Sequence, residues 1–409
     1  MSAMNNGNFW QQCWWVRIIT SAAVAGLVVS CASSTIRNPV PDTLTSQAAA
    51  FGMSDIRFWG DESPPNLRAI IKEKFAQMRT ARPHLFKAGK RPSISFLTVS
   101  GGGSDGAFGA GLLVGWSDSG KRPKFELVTG VSTGALIAPF AYLGKRHDPA
   151  LKEMYTTYST SAFIKKKPVR GLLGGSALTS SKPLASLIAK YVDQAFMADI
   201  AAAHQTGRRL LIGTTNLDAQ RPVIWDMGRI ASSGNPEAIN LFRKILLASA
   251  SIPGVFPPVF INVLADGKSY DEMHVDGGTT NQVFLLPNQL MVGKATGKIR
   301  FKPRRRVYII RNGRVSPEHK VVKAGTLSIA SRSVSTLIKY QGIGDLFKMY
   351  QFSRRNGIQF RLAYIPKDIK DTSTEAFDTL YMKKLFNLGY ELGKQGYRWQ
   401  KTPPGSGGP

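Results

Sequence analysis

Short apolar runs alternate with amphipathic segments along most of the chain. Runs of strand length that are rich in branched and aromatic residues occur at 94–100, 125–129, 208–217, 221–227, 305–312 and 359–365. Apolar residues with helical spacing occur at 64–79, 107–118, 133–143, 238–252 and 374–395. Strands that alternate with helices predict an α/β domain with a mostly parallel sheet.

The charge of the chain points to an anionic partner. Among 409 residues, 54 Lys and Arg face 26 Asp and Glu, a formal net charge of +28. Basic clusters at 164–170 and 300–306 lie between apolar elements and lack the interleaved aromatic residues of an RNA-binding sheet. We therefore expect an anionic membrane surface as partner and no nucleic acid. The sequence carries no signal for an oligomeric state.

The N-terminal segment has the pattern of an export signal. Residues 16–31, VRIITSAAVAGLVVSC, contain one charge, Arg17, and an apolar stretch that ends at Cys31. A membrane span takes about 20 apolar residues, so the stretch fits a signal peptide better. Residues 28–31, VVSC, resemble a bacterial lipobox with Cys31 as the lipidated residue. An ordinary signal peptide and an uncleaved anchor are the alternatives.

These features predict a location and a division of the chain. A lipidated Cys31 followed by Ala32 favours the bacterial cell envelope, with a lipid anchor in the outer membrane and the protein facing the periplasm. The predicted parts are a signal peptide at 1–30, a tether with a helical arm at 31–90, a compact domain at 91–398 and a flexible tail at 399–409.

A glycine-rich turn follows the first strand of this domain. In ISFLTVSGGGSDGAFGAG (94–111), Gly101, Gly103 and Gly106 fit the pattern G-x-G-x-x-G. Backbone N–H groups at such a turn bind anions, including the pyrophosphate of a dinucleotide. A dinucleotide site also needs an acidic residue after the next strand. That strand, FELVT, is followed by GVSTGA, which disfavours nucleotide binding.

The second turn has the pattern of a nucleophile elbow. Residues 130–134 read G-x-S-x-G between a predicted strand and a predicted helix, with Ser132 at the centre. A serine that attacks an ester carbonyl generates an oxyanion, and the backbone N–H groups of residues 101–103 are placed to stabilise it. The anion held by the glycine-rich turn is then a transient one, formed during the reaction.

A nucleophilic serine needs a base, and two residues compete for that role. Of the five histidines, His84, His147, His204 and His319 fall at predicted surface, loop or helix-end positions. His274 and Asp276 lie two residues apart in YDEMHVDGGTTNQ, on one face if this segment is a strand. Asp276 precedes two glycines, so it is either a turn residue or a catalytic one.

Three motifs in order give the chain a family resemblance. G-G-G-x-x-G-A at 101–107, G-x-S-x-G at 130–134 and D-G-G at 276–278 look like those of the patatin-like phospholipase family. The segment LASASIPGVFPPV (247–259) resembles the family's sequence before the D-G-G strand. The similarity spans about residues 92–281.

The resemblance implies a fold, a site and a reaction. The fold is a three-layer α/β/α sandwich with a mostly parallel central sheet. Ser132 is the implied nucleophile, Asp276 the base, and Gly101, Gly102 and Gly103 the oxyanion hole. The implied substrates are phospholipids or other acyl esters of lipids, cleaved by a phospholipase A or lysophospholipase type of reaction without metal or cofactor.

One residue departs from the family pattern. Asp105 stands in the glycine loop where many members carry a basic residue. A carboxylate aimed at the oxyanion hole would oppose catalysis, whereas one that points outward or caps the next helix would not.

Other functions stay open on the sequence. A thioesterase or acyltransferase uses the same acyl-enzyme chemistry, and a non-catalytic lipid-binding envelope protein is a second alternative. The segment 161–184 mixes lysines with apolar residues and is either a membrane-facing flap or a surface loop.

Overall fold

The computed structural model describes residues 37–53, 55–64, 66–87, 92–166, 177, 179–285 and 303–406. The predicted signal peptide, Cys31, much of the segment 161–184 and parts of both basic clusters lie outside these residues.

The strands are β1 Ala49–Ala50, β2 Arg57–Trp59, β3 Ser93–Val99, β4 Phe125–Gly130, β5 Lys165–Lys166, β6 Thr179–Ser180, β7 Arg209–Asn216, β8 Arg221–Asp226, β9 Val259–Ala265, β10 Lys268–Asp276, β11 Arg304–Arg311 and β12 Ile358–Tyr364. The helices are α1 Leu67–Ala81, α2 Gly106–Asp118, α3 Thr133–Leu143, α4 Asp148–Thr156, α5 Thr160–Phe163, α6 Lys182–Tyr191, α7 Gln194–Gln205, α8 Met227–Ala231, α9 Ala238–Ser249, α10 Thr326–Arg355 and α11 Thr379–Gln395.

The main sheet has a parallel centre and an antiparallel side. Its strand order is β1-β9-β10-β7-β4-β3-β11-β12, and β8 pairs with β7 and with β2. Strands β7, β4, β3, β11 and β12 are parallel to one another, whereas β10, β9, β1, β8 and β2 pair antiparallel. Strands β5 and β6 form a separate hairpin. The prediction of an α/β fold with a mostly parallel central sheet is confirmed.

Both faces of the sheet are buried, which makes three layers. Along β3, Leu97 and Val99 are buried in one apolar cluster with helices α2, α3, α9 and α11. Phe96, the neighbour of Leu97, points to the other face and is buried in a cluster with Leu346 and Met349 of α10. Strands buried on both faces do not alternate strictly between apolar and polar residues, which explains the sequences of β3 and β4.

The described part of the predicted tether joins the sheet. Strand β1 pairs with β9, and β2 pairs with β8. The Arg57 guanidinium donates to both carboxylate oxygens of Glu272 in β10, and Arg37 bonds to Asp218 and Asp271. Residues 37–60 therefore stabilise the antiparallel side of the sheet. The predicted domain boundary near residue 91 stays a prediction.

The start of the predicted tail is also held. Trp399 contacts Trp116 of α2 with ring centroids 4.9 Å apart. Gln400 exchanges two backbone hydrogen bonds with Leu362 of β12. Packing against an aromatic cluster therefore orders the chain beyond α11.

The predicted elements of the parallel centre are present, with bounds that shift by one or a few residues. The largest difference is α10, a helix of 30 residues that the hydrophobic pattern did not predict. In the part of the chain that the structure describes, no helix combines the length and the apolar character needed to cross a bilayer.

Candidate active site

Two strands end opposite each other along one edge of β7. One edge of β7 is paired with β8 over residues 211–216. Strand β4 pairs with residues 209–212 of β7 and β10 with residues 214–216. Because both ranges overlap the one that β8 occupies, β4 and β10 must lie along the other edge of β7. The last residue of β4, Gly130, lies opposite Ile212. The last residue of β10, Asp276, lies opposite Thr214. This register brings the turn after β4 and the carboxylate of Asp276 to the same place.

Ser132 occupies a strained turn between β4 and α3. Its backbone has φ 56° and ψ −129°, a conformation that non-glycine residues rarely adopt. The flanking glycines leave no room for side chains. A Cβ at Gly130 would lie 2.3 Å from the carbonyl oxygen of Gly134, and one at Gly134 would lie 2.2 Å from that of Val99. The turn therefore has the close approach and the strain of a nucleophile elbow.

Residues at and just after the end of α9 form hydrogen bonds both to the turn that carries Ser132 and to Asp276. The backbone N–H of Ser132 donates to the Ser249 hydroxyl at 3.1 Å. That hydroxyl donates to the carbonyl oxygen of Gly213 in β7 at 2.7 Å. Two residues further on, the carbonyl oxygen of Ser251 accepts the N–H of Asp276 at 2.9 Å. The segment 247–259, which carried part of the resemblance, thus positions Ser132 and Asp276 together.

Asp276 is buried, with one carboxylate oxygen held and the other unsatisfied. Oδ1 accepts the backbone N–H of Gly278 at 2.6 Å. Oδ2 is buried and accepts no well-aligned hydrogen bond from the described residues. Burial raises the pKa of Asp276 to about 7, although the nearby Ser132 hydroxyl and the Gly278 N–H act to lower it. A carboxyl with this pKa changes its charge close to neutral pH.

His274 is bonded on both ring nitrogens and belongs to a different network. Its Nδ1 shares a hydrogen bond with the Thr214 hydroxyl at 3.0 Å, and its Nε2 one with Glu272 at 3.0 Å. The ring is fully buried, and burial lowers its pKa. Glu272 in turn pairs with Arg57. The histidine that sequence analysis left as a competitor to Asp276 therefore ties the N-terminal strands to β10.

The glycine loop lies against Ser132. A Cβ at Gly101 would be 3.0 Å from the Cβ of Ser132, and one at Gly102, where φ is 157°, would be 1.9 Å from the carbonyl oxygen of Asn312. Gly103 has φ 57° and an open side toward solvent. The backbone N–H groups of Gly102 and Gly103 donate no hydrogen bond to another described residue. They are free to bind an anion beside Ser132.

Asn312 holds this loop from the end of β11. Its side-chain amide donates to the carbonyl oxygen of Ser100 at 2.8 Å, and its backbone N–H donates to the Ser100 hydroxyl at 2.9 Å. The Ser100 hydroxyl donates in turn to the carbonyl oxygen of Gly101 at 2.6 Å. The conformation of residues 100–102 is thus fixed by contacts with a distant strand.

Asp105 is paired with residues beyond the glycine loop. Its Oδ1 accepts the Tyr381 hydroxyl at 2.6 Å, and its Oδ2 lies 3.5 Å from Nη1 of Arg314. It makes no side-chain capping bond to α2. Burial raises the pKa of Asp105 to about 6, against the opposing effects of Tyr381 and Arg314. The carboxylate of Asp105 is therefore held by Tyr381 and Arg314, outside the glycine loop.

An apolar pocket opens from Ser132. It encloses about 30 Å³, room for one water molecule rather than an acyl chain. The rings of Phe163 and Phe377 stack within its wall, with centroids 4.4 Å apart and an interplanar angle of 19°. Among the described residues no group of His, Cys, Asp and Glu side chains is arranged to hold a metal ion. The pocket is lined by Gly103, Ser132, Thr133, Leu136, Tyr155, Phe163, Leu184, Ala250, Ile252, Phe256, Phe377 and Met382.

A comparison with protein families finds a match over this part of the chain. The family model described as patatin-like phospholipase matches residues 97–287. That range includes the glycine loop, Ser132 and Asp276. Residues 97–287 therefore form a domain of the patatin-like phospholipase type.

Solved structures similar to the patatin-like domain share little sequence with it. VipD from Legionella pneumophila is 12% identical, with 74% of this chain and 66% of that one covered and a TM-score of 0.33. Human GIVD cytosolic phospholipase A2 is 10% identical, with 78% and 52% covered and a TM-score of 0.35. The chain thus spans between about half and two thirds of the length of these proteins. No curated protein sequence matches the chain.

The patatin-like site includes residues that the sequence did not single out. Ser249 lies inside the segment of resemblance but resembles any small helical residue. Asn312 is the first residue of an Asn-Gly pair, an ordinary turn signal. Tyr381 and Arg314 contact Asp105 from elements far away in sequence. Only the register of the folded sheet reveals these partners.

Proposed function

We propose that the protein is a serine hydrolase of lipid acyl esters, acting on phospholipids or lysophospholipids at a membrane surface. One observation carries the proposal. The buried carboxylate of Asp276 has an unsatisfied oxygen beside Ser132, which itself stands on a strained elbow. A structural aspartate gains nothing from this arrangement, because a buried unsatisfied oxygen costs stability.

The proposed reaction begins with attack on the ester carbonyl. The Ser132 hydroxyl oxygen bonds to the carbonyl carbon, and the carboxylate of Asp276 takes the hydroxyl proton. Negative charge collects on the former carbonyl oxygen, which accepts hydrogen bonds from the N–H groups of Gly101–Gly103. When the tetrahedral intermediate collapses, the lipid alcohol leaves with the proton from Asp276 and an acyl-enzyme remains.

Hydrolysis of the acyl-enzyme reverses these roles. Water attacks the acyl carbon while Asp276 takes one of its protons, and the same N–H groups stabilise the second oxyanion. The fatty acid leaves, and the proton returns to the Ser132 oxygen. The side chains that line the pocket at Ser132 are mostly apolar, which favours an acyl ester as substrate, but the pocket must widen from its volume of about 30 Å³ to admit an acyl chain. An alcohol or thiol acceptor in place of water would give the acyltransferase alternative.

Substrate profiling tests this proposal. We expect purified protein to release fatty acid from a phospholipid or a lysophospholipid in a panel that also contains an acyl-CoA, and Ser132→Ala to remove that activity. Activity that persists in Ser132→Ala would assign the reaction to another enzyme in the preparation. Acyl-CoA cleavage with no lipid cleavage would favour the thioesterase alternative instead.

The rate should depend on pH through Asp276. The base works in its ionised form, and burial raises the pKa of this carboxyl to about 7. We expect kcat/KM for a soluble short-chain ester to fall as the pH drops below about 7 and to level off above it. A rate that stays constant down to pH 5 would contradict the assignment of Asp276 as the base.

The place of action is proposed from the N-terminal sequence and the charge. We propose that Cys31 becomes the lipidated first residue of the mature protein, anchored in the outer membrane and facing the periplasm. The mass of intact protein extracted from membranes should correspond to a lipidated chain that starts at Cys31. A retained Met1, or an unmodified chain cut elsewhere, would disprove the anchor.

A further inference from the structure

Helix α10 (Thr326–Arg355) buries apolar side chains in the domain through its second half only. The first half contacts the segment after β11 through polar groups, with Arg332 and Lys339 bonded to residues 316–318. Leu346 and Met349 in that half are buried in the core below the sheet. In the first half, the side chains from 328 to 337 are exposed all around the helix, except for the half-buried Arg332. A helix segment without a buried face gains no stability from packing in the isolated protein.

The exposed half extends past the edge of the sheet. The Gln341 side chain donates to the carbonyl oxygen of Thr280, and Asp345 accepts the N–H of Gln282, so residues 341–345 lie level with the loop after β10. The helix then leads to β12, whose first residue pairs with Arg305 at the start of β11. It therefore runs back along the sheet, and residues 326–340 project about 22 Å beyond it at 1.5 Å per residue.

The projecting half stands at the edge of the sheet that carries the active-site residues. Gly101 follows the end of β3, Ser132 follows the end of β4, and Thr280 lies four residues after Asp276. These three strand ends are at the same edge of the sheet as the end of β11. A substrate that approaches Ser132 from this side passes beside the helix.

The surface of this half is apolar and basic. Ile329, Leu337 and Tyr340 are 52%, 71% and 62% exposed. At 3.6 residues per turn they fall within about a quarter of the helix circumference. From residue 319 to 344 there is no Asp or Glu, and the charged side chains are Lys320, Lys323, Arg332 and Lys339. We call residues 319–340 the projecting arm.

We propose that the projecting arm docks on the anionic bilayer that holds the substrate, with Ile329, Leu337 and Tyr340 inserted at the level of the lipid headgroups. The inference rests on the proposed function, because a hydrolase of membrane lipids must meet a bilayer at the mouth of its site. Exposed apolar side chains next to Lys320, Lys323 and Arg332 match the acyl boundary and the anionic headgroups of a bilayer, whereas Lys339 is already paired with Glu318.

A dye on the arm tests the docking directly. The full chain carrying Cys13→Ser and Cys31→Ser cannot be lipidated at Cys31, and Leu337→Cys then provides one site for a polarity-sensitive dye. We expect a blue shift with vesicles of phosphatidylglycerol and phosphatidylcholine and a much smaller one with phosphatidylcholine alone. The same dye at Leu264→Cys is the control, because Leu264 is 45% exposed on β9, toward the opposite edge of the sheet.

Kinetics separate docking from chemistry. The triple variant Ile329→Ser, Leu337→Ser, Tyr340→Ser should lose about tenfold or more of its rate on phosphatidylglycerol vesicles, since it loses the apolar area that would be buried. Its rate on a soluble short-chain ester should stay as in the parent protein. Leu264→Ser should change neither rate.

Three results would overturn the docking proposal. The first is a triple variant with full activity on vesicles. The second is shielding of the dye at residue 337 in the absence of vesicles and at every protein concentration. This result would mean that another segment of the same chain, such as 286–302, covers the arm. The third is shielding that grows with protein concentration, which would mean a second copy. If instead the proposed function is wrong, the parent protein will show no activity that depends on Ser132, while the dye still reports docking.

Discussion

Replacing Asp276 with Asn is expected to lower kcat/KM by about 10⁴-fold or more, because nucleophile and base act as one unit. Asn keeps the shape of the side chain and an oxygen that accepts the Gly278 N–H, but it cannot take the Ser132 proton. Steady-state hydrolysis of a short-chain ester measures the loss. Ser132→Ala should show a loss of similar size, and the double variant should lose little beyond either single one.

The same substitution should stabilise the fold at pH 8. The folded-state pKa of about 7 lies above the ordinary value of 3.8, so the folded protein holds this proton more tightly than the unfolded chain does. Ionisation of Asp276 therefore lowers the free energy of unfolding. This loss is absent below about pH 4, grows as the pH rises to about 7 and stays constant above it. The difference between the two pKa values corresponds to about 4 kcal/mol. Thermal unfolding at pH 8 should show a higher Tm for Asp276→Asn.

His274→Gln is the matched control two residues away. An amide can replace the bonds of the ring to Thr214 and Glu272, so we expect most of the activity to remain and any effect to fall on the Tm. If Asp276→Asn were active and His274→Gln were inactive with its fold intact, the base would be the histidine and the proposed dyad would be wrong.

Local sequence was enough to predict the elbow but not its partner. The strained conformation of Ser132 follows from five consecutive residues, and the alternation of strands and helices was enough for the sheet. Only the family resemblance favoured Asp276, because both residues lie on one face of β10 and local sequence left the choice between His274 and Asp276 open. It depends on the register in which Asp276 meets Thr214 and on a network that begins at Arg57, outside the predicted domain.

Helix α10 was missed for a physical reason. A sequence shows amphipathic periodicity when one face of the helix is buried, and the half of this helix before Gln341 has no buried face. The strands at Ala49–Ala50 and Arg57–Trp59 are too short to show an alternating pattern. The pairing of Asp105 with Tyr381 and Arg314 joins residues more than 200 positions apart, which no local pattern encodes.

One methyl group added to the glycine loop should be enough to reduce catalysis strongly. We expect Gly102→Ala to reduce kcat by about 10²- to 10³-fold, the effect of losing an oxyanion donor. Its Cβ would lie 1.9 Å from the carbonyl oxygen of Asn312, a backbone atom that Ser100 and the end of β11 hold in place. The loop must then move, and the N–H groups at 102 and 103 turn away from the oxyanion.

Two further glycines give matched controls for this substitution. Gly103→Ala and Gly120→Ala also place a methyl group at positive φ, 57° and 71°, but neither Cβ meets another atom within 4 Å. Gly103→Ala should therefore lose far less activity than Gly102→Ala, and Gly120→Ala should lose none. Burst kinetics with an activated ester would locate the defect of Gly102→Ala in acylation and deacylation alike, since both steps form an oxyanion. Full activity in Gly102→Ala, with an unchanged Tm, would mean that the oxyanion binds elsewhere than at this loop.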